Sequence, residues 1–201
     1  AAVYSAAGTL TIDSATVTGN NAAAGSIVTS VGGKTIVRNS SLNNNTASGS
    51  VVNAPNGELF LISTTIAENS KVEEADVSGR NVTIVNSTIA EAERNGILVE
   101  AAGDVQLANS IVVGQQKETV IDAAGRVDGA YSVVGEVKSG SVFNNEYGTV
   151  TTNQSYADVF GTNNVNAGGM ISLPSGSPAA EGVWTAVDTT ADSDTYGNVY
   201  Y

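Results

Sequence analysis

The sequence predicts an all-β fold, a right-handed parallel β-helix of about six to eight coils of 22–25 residues with three short strands in each. Three observations predict it. A stretch of text recurs with a nearly constant period, apolar residues alternate inside each copy, and the composition, with 22 Gly and only 14% charged residues among 201 and a bulk of Ala, Val, Ile, Leu, Ser, Thr and Asn, favours turns and β structure over helix.

The copies read GTLTIDSATVTGN from Gly8, GKTIVRNSSLNNN from Gly33, GELFLISTTIAEN from Gly57, RNVTIVNSTIAEA from Arg80, GDVQLANSIVVGQ from Gly103 and GRVDGAYSVVGEV from Gly125. Successive starts are therefore 25, 24, 23, 23 and 22 residues apart. A period in this range marks a solenoid, because a unit of this length cannot bury its own apolar face and must stack on its copies.

Each element of the coil follows in order. The third and fifth positions are mostly apolar (Leu10/Ile12, Val37, Leu59/Leu61, Val82/Ile84, Val105/Leu107), which turns one strand face inward. A small polar kink follows at Ser14, Asn39, Ser63, Asn86 and Asn109, residue types that tolerate a left-handed backbone. Val17, Leu42, Ile66, Ile89 and Val112 then supply the buried position of a second strand, whose outward neighbours are Thr16, Ser41, Thr65 and Thr88. A third apolar site, five residues before each start, is expected at Val3, Val28, Val52, Ala75, Leu98 and Val120. Strands running the same way in every coil make parallel sheets.

The repeated text SATVTGN, STTIAEN, NSTIAEA and NSIVVGQ resembles the parallel β-helix repeats of bacterial secreted and surface-anchored proteins, over residues 1–140. Residues 141–201 are expected to hold the last irregular coils and a closing tail. In the family that tail reads as a Leu, a Gly-Ser-Pro-Ala run and an Asp-x-x-Gly. This chain resembles it at YADVFG (Tyr156 to Gly161), Leu173, Gly176, Ser177, Pro178, Ala179 and the Asp194/Gly197 pair, and departs from it at Ala180 and Glu181. The resemblance implies export and a cell-surface or extracellular setting, but the family hosts surface proteins, adhesins and polysaccharide-degrading enzymes alike.

Composition narrows the chemistry. There is no Cys and no His, which excludes nucleophilic triads, imidazole acid/base catalysis and thiolate or imidazole metal sites. Eight basic against 20 acidic residues give a net charge of −12, which repels phosphate backbones and anionic membranes, so neither nucleic acid nor membrane insertion is expected. No apolar run reaches the roughly 18 residues that span a bilayer. The opening Ala1-Ala2-Val3-Tyr4-Ser5 has no basic n-region, as expected of a processed or excised chain.

What remains is carboxylate, Lys and Arg chemistry. Glu68 and Glu91 share the twelfth position of their coils, and Lys71, Arg94 and Lys117 share the fifteenth. Each set is expected to stack at about 4.8 Å as a charged stripe on the solvent side, with Glu73, Glu74, Asp76, Glu93, Glu100 and Glu118 close by. Such a stripe keeps a solenoid soluble. The same residues are the weak catalytic candidates, since β-helix lyases and hydrolases pair carboxylates with a basic residue. Calcium is a further candidate ligand at Asp192 and Asp194, the first half of an EF-hand-like loop whose closing Glu is missing.

The expected function is a structural or adhesive β-helix scaffold outside the bacterial cell, partnered by protein, either itself or a longer parent chain, through an open first coil and able to stack end to end into a filament. The alternative is a carbohydrate-active enzyme or glycan-binding module, which needs a groove and an aromatic floor. One Trp, three Phe and seven Tyr, mostly late in the chain, supply little of that floor. Ice binding ranks last, because the outward Thr array is interrupted at Ile111 and Val133.

Overall fold

The computed structural model describes residues 1–94, 96–116, 120–138, 142–144, 150–166, 169–179, 186–187 and 199–200, the last two pairs and 142–144 by backbone alone. The chain is a parallel β-helix. An 11-stranded sheet and a 7-stranded sheet run its length, and every strand in them pairs in parallel with its copy one coil above or below.

Most coils contribute two strands to the larger sheet, which merge into one long strand in the third (Val52–Ile62) and fourth (Val77–Val85) coils, and one strand to the smaller. In the larger sheet the register runs Leu10, Thr35, Leu59, Val82, Val105, Val127 and, two residues on, Ile12, Val37, Leu61, Ile84, Leu107, Gly129. In the smaller sheet it runs Val17, Leu42, Ile66, Ile89, Val112, Val134. These columns are the core, and from the second coil onward Leu42, Leu59, Leu61, Ile66, Ile84, Ile89 and Val112 are fully buried. Thr35 is the polar intruder, its buried hydroxyl without a hydrogen-bond partner among the described residues.

The kink between the two sheets is a column of left-handed residues, as the sequence requires. Ser14, Asn39, Ser63, Asn86, Asn109 and also Tyr131 have φ of 53°, 51°, 49°, 49°, 48° and 47°. Gly33 and Gly57 open their copies under close stacking, where a Cβ would sit 2.1 Å from Gly8 O and 2.4 Å from Gly33 O, and Gly33 is in addition left-handed with φ of 88°. Arg80 follows in the fourth copy, and the register slips between Gly79 and Asn81.

That slip corrects the third apolar column. The pairs are Val3, Val28, Val52, Val77, Val99 and Ile121, in place of the expected Ala75, Leu98 and Val120 in the later coils. Counting back a constant five residues fails because the corner between the two strands of the larger sheet shortens from the fourth coil onward. Ala75, Leu98 and Val120 are buried nonetheless.

Both sheets extend past residue 140, through Val142–Asn144 and Val150–Thr151. The chain then forms one short helix, Tyr156–Phe160, started by a reciprocal capping box between Ser155 and Asp158. The helix lies on the outer face of the smaller sheet, where Tyr156, Val159 and Phe160 pack on Ala90, Val113 and Val133. The tail returns along that face: Val165 N donates to Glu68 Oε1 at 2.8 Å, and Gly169 crosses so near Ser41 that a Cβ would meet Ser41 Oγ at 2.2 Å. Among the described residues no helix is long and apolar enough to cross a membrane.

Ile66 and Ile89 are stacked neighbours, both fully buried. Ile66→Ala or Ile89→Ala is expected to cost about 2–5 kcal/mol in a denaturant titration, since the column cannot collapse around the hole. A loss below about half a kcal/mol at both would remove these side chains from the core.

Candidate functional site

Two polar columns run inside the solenoid beside the aliphatic ones. The first follows the kink directly: Ala15, Ser40, Thr64, Ser87, Ser110, Ser132. The amide of each of Ala15, Thr64, Ser87 and Ser110 donates to the hydroxyl one coil on (Ser40, Ser87, Ser110, Ser132) at 3.1–3.2 Å. Those hydroxyls donate in turn to backbone carbonyls two residues back, as Ser87 Oγ does to Val85 O at 2.7 Å. The column supplies a hydroxyl partner to buried backbone donors at the bend, coil after coil from Thr64 to Ser132.

The second column is an asparagine ladder at the next bend. Asn20 N donates to Asn45 Oδ1, and Asn45 N to Asn69 Oδ1, at 3.1 and 3.0 Å. The amide groups run on inward, Asn45 Nδ2 to Val17 O and Asn69 Nδ2 to Leu42 O. The bend turns through left-handed Gly19, Asn44 and Glu68, the residues just before the three asparagines.

In the fourth coil this bend disappears. Glu91, at the place of Glu68, belongs instead to the strand Thr88–Glu91 and turns inward. It is 2% exposed. Its carboxylate ends the ladder by accepting from Asn69 N at 3.0 Å and Asn69 Nδ2 at 3.0 Å. Burial pushes its pKa well up, and the charge of Asp76 adds to this against the bonds from Asn69.

Asp76 is the second anomaly. It occupies the column Ile27, Val51, Asp76, Leu98, Val120, in which each residue precedes the stacked pair and the other four are aliphatic and buried. Its side chain is fully buried, and neither oxygen accepts a hydrogen bond among the described residues. Arg94 Nε stands 3.3 Å from Oδ2, yet it and two further N–H groups donate to carbonyls instead, Nε and Nη2 to Ile97 O and Nη1 to Val72 O. The contact is one of charge without a bond. Burial raises Asp76 to about 7, and the Arg94 charge offsets part of that.

The expected solvent-facing stripe is therefore corrected. Glu91 and Arg94 lie inside the coil, with the Arg94 side chain 13% exposed, because loss of the left-handed bend redirects the chain. Lys71 does face solvent, and Glu68 is half-buried under the returning tail. Lys117, Glu118, Asp192 and Asp194 lie outside the described residues, so the stripe's last member and the calcium loop are not placed. Among the described residues no group of three carboxylates converges on a metal-sized site.

Glu91 also lines a groove of about 340 Å³ with Asn44, Glu68, Asn69, Ser70, Glu93 and Asn164 of the tail. Tyr156 lies close enough that Glu68 and Glu91 add to the effect of burial in raising its pKa. Comparison with family models, curated proteins and solved structures returns no match for this chain.

Asn69 takes part in more bonds of the ladder than Asn20, which stands at its end. Asn69→Ala is expected to cost about 1–3 kcal/mol, leaving buried partners on both sides unpaired, and Asn20→Ala distinctly less. Equal losses in a denaturant titration would show that the ladder does not act as a unit.

Proposed function

We propose that the chain is a structural or adhesive scaffold of the bacterial cell surface, a rigid rod that joins other protein through the strands of its first coil. The observation that carries this reading is the coil-on-coil stacking of parallel strands, which the first coil's strands can continue with any further coil. Val3–Ser5, Thr9–Asp13 and Thr16–Thr18 each pair on one side only, with the second coil. Ser14 N donates to Arg38 O and Lys34 N to Gly8 O, so by alternation the N–H groups of Thr9, Thr11 and Asp13 point away from the second coil. Val3, Leu10 and Val17 stay half-buried over columns that are otherwise closed, and Tyr4 beside them is 66% exposed.

A bare row of strand donors and acceptors over an apolar column is a template for another chain. A further coil of a longer parent chain covers it in one setting. In the other a second copy does, by a head-to-tail contact that does not close on itself and so grows into a filament. The extracellular setting is supported by the repeat text and its resemblance to surface proteins.

The groove beside Glu68 and Glu91 favours a second reading, a glycan-binding or carbohydrate-active site, because it pairs a buried acid with a more open one. Against it, the Glu91 carboxylate already holds the end of the asparagine ladder.

The intact 201-residue chain is expected to self-associate with concentration in light scattering, and Thr11→Pro, which removes an edge donor without touching the ladder to the second coil, to return it to monomer with little change in melting temperature. A chain that stays monomeric at its highest soluble concentration would sink self-pairing through this edge. No turnover is expected on acidic or neutral polysaccharides. Turnover that disappears in Glu68→Gln would promote the groove to an active site.

A further inference from the structure

We propose that Asp76, Glu91 and Arg94 form a proton-operated latch inside the solenoid, closing the turn of the fourth coil while the two acids share a proton and loosening it when that proton leaves. The geometry sets the stoichiometry: two buried carboxylates face one guanidinium. Asp76 stands in an aliphatic column with no hydrogen bond to either oxygen among the described residues, and Arg94 gives three of its five N–H groups to the carbonyls of Val72 and Ile97. With both acids ionised, one negative charge is uncompensated in the interior, the costliest state a buried group can adopt.

The latch holds particular pieces of chain. Arg94 ties the third-coil turn at Val72 to its own turn at Ile97, and Glu91 ties the fourth coil to the ladder through Asn69. Other charged groups nearby are exposed Lys71, Glu73 and Glu74 on the third-coil turn, exposed Glu93 on the fourth, and half-buried Glu68 and the Tyr156 phenol on the tail side. Ser50 Oγ donates to Glu74 Oε2, which holds that carboxylate outside the coil. Lys117 and Glu118, on the fifth-coil turn, lie outside the described residues.

Burial raises Asp76 to about 7 in the folded chain, whereas an unfolded Asp titrates near about 3.9. The folded state therefore binds the extra proton throughout that interval. Its contribution is fully present below about pH 4, is lost as pH rises, and is gone once pH passes the folded value of about 7.

The test is the melting temperature of the intact chain between about pH 5 and about pH 8, in wild type and in Asp76→Val, which restores the aliphatic column. The wild type is expected to melt lower at the higher pH. Asp76→Val is expected to lose most of that drop and to melt above the wild type at the alkaline end. An Asp76→Val chain that keeps the full wild-type drop would overturn the latch, assigning the effect to the net surface charge. If that variant does not fold, hydrogen exchange on the wild type decides. Protection factors at Val77 and Leu98, whose amides bond across the latch to Leu98 O and Val120 O, should fall with pH faster than at Asn109, bonded to Ala130 O. A uniform fall at all three would overturn the proposal. So would millimolar calcium that restores wild-type stability at the higher pH and does nothing for Asp76→Val, since the carboxylates would then hold a cation.

Discussion

Everything in this molecule depends on the coil-to-coil backbone ladder, which sets each residue against its own counterpart one turn away. A column is stable only if its residue type is content to sit on itself. Aliphatic side chains satisfy this by packing, as Leu42, Ile66 and Ile89 do. Hydroxyls and amides satisfy it by carrying both a donor and an acceptor, so that a serine or asparagine column passes hydrogen bonds along the axis. Ionised carboxylates cannot: they accept only, and repel their copies. In the interior the ladder therefore places acids at the end of a column or as a single substitution within it, where Glu91 and Asp76 are found, whereas Glu100 and Asp122 stack on each other only on the outer surface.

The repeat made most of the fold legible. The inward alternation, the left-handed kink and the second-strand column could be read from the residues, because each needs a residue type at a fixed distance from the coil start. The third apolar column was misplaced from the fourth coil onward, since its distance from the start changes where Arg80 replaces a glycine. The sixth kink residue, Tyr131, gave no compositional signal, as a tyrosine is a poor left-handed former placed there by its neighbours above.

The interior polar features were half legible. Asn20, Asn45 and Asn69 end three successive copies of the repeat, and Ala92 breaks the series at the coil where Glu91 takes over. That interruption was the readable sign that Glu91 differs from Glu68 despite sharing its position. What could not be read is the direction each acid points, because it turns on whether one residue is left-handed, and a glutamate does not announce that. Asp76 was hidden among neighbouring surface acids, Glu73 and Glu74, although the column it interrupts is aliphatic in the two coils before it and the two after it.

The returning tail changes the kind of object this solenoid is. A stack of coils bound only to their neighbours behaves as a one-dimensional chain, able to fray from an end while the middle stays folded. Here a single segment touches Ser41 in the second coil, Glu68 in the third and Ala90, Val113 and Val133 in the three that follow, bridging 97 residues of sequence in the bond from Val165 to Glu68. Such a strap runs parallel to the axis like a batten across planks. An inner coil cannot peel away without also breaking the seam beside it, so the rod resists in one piece and yields in one piece.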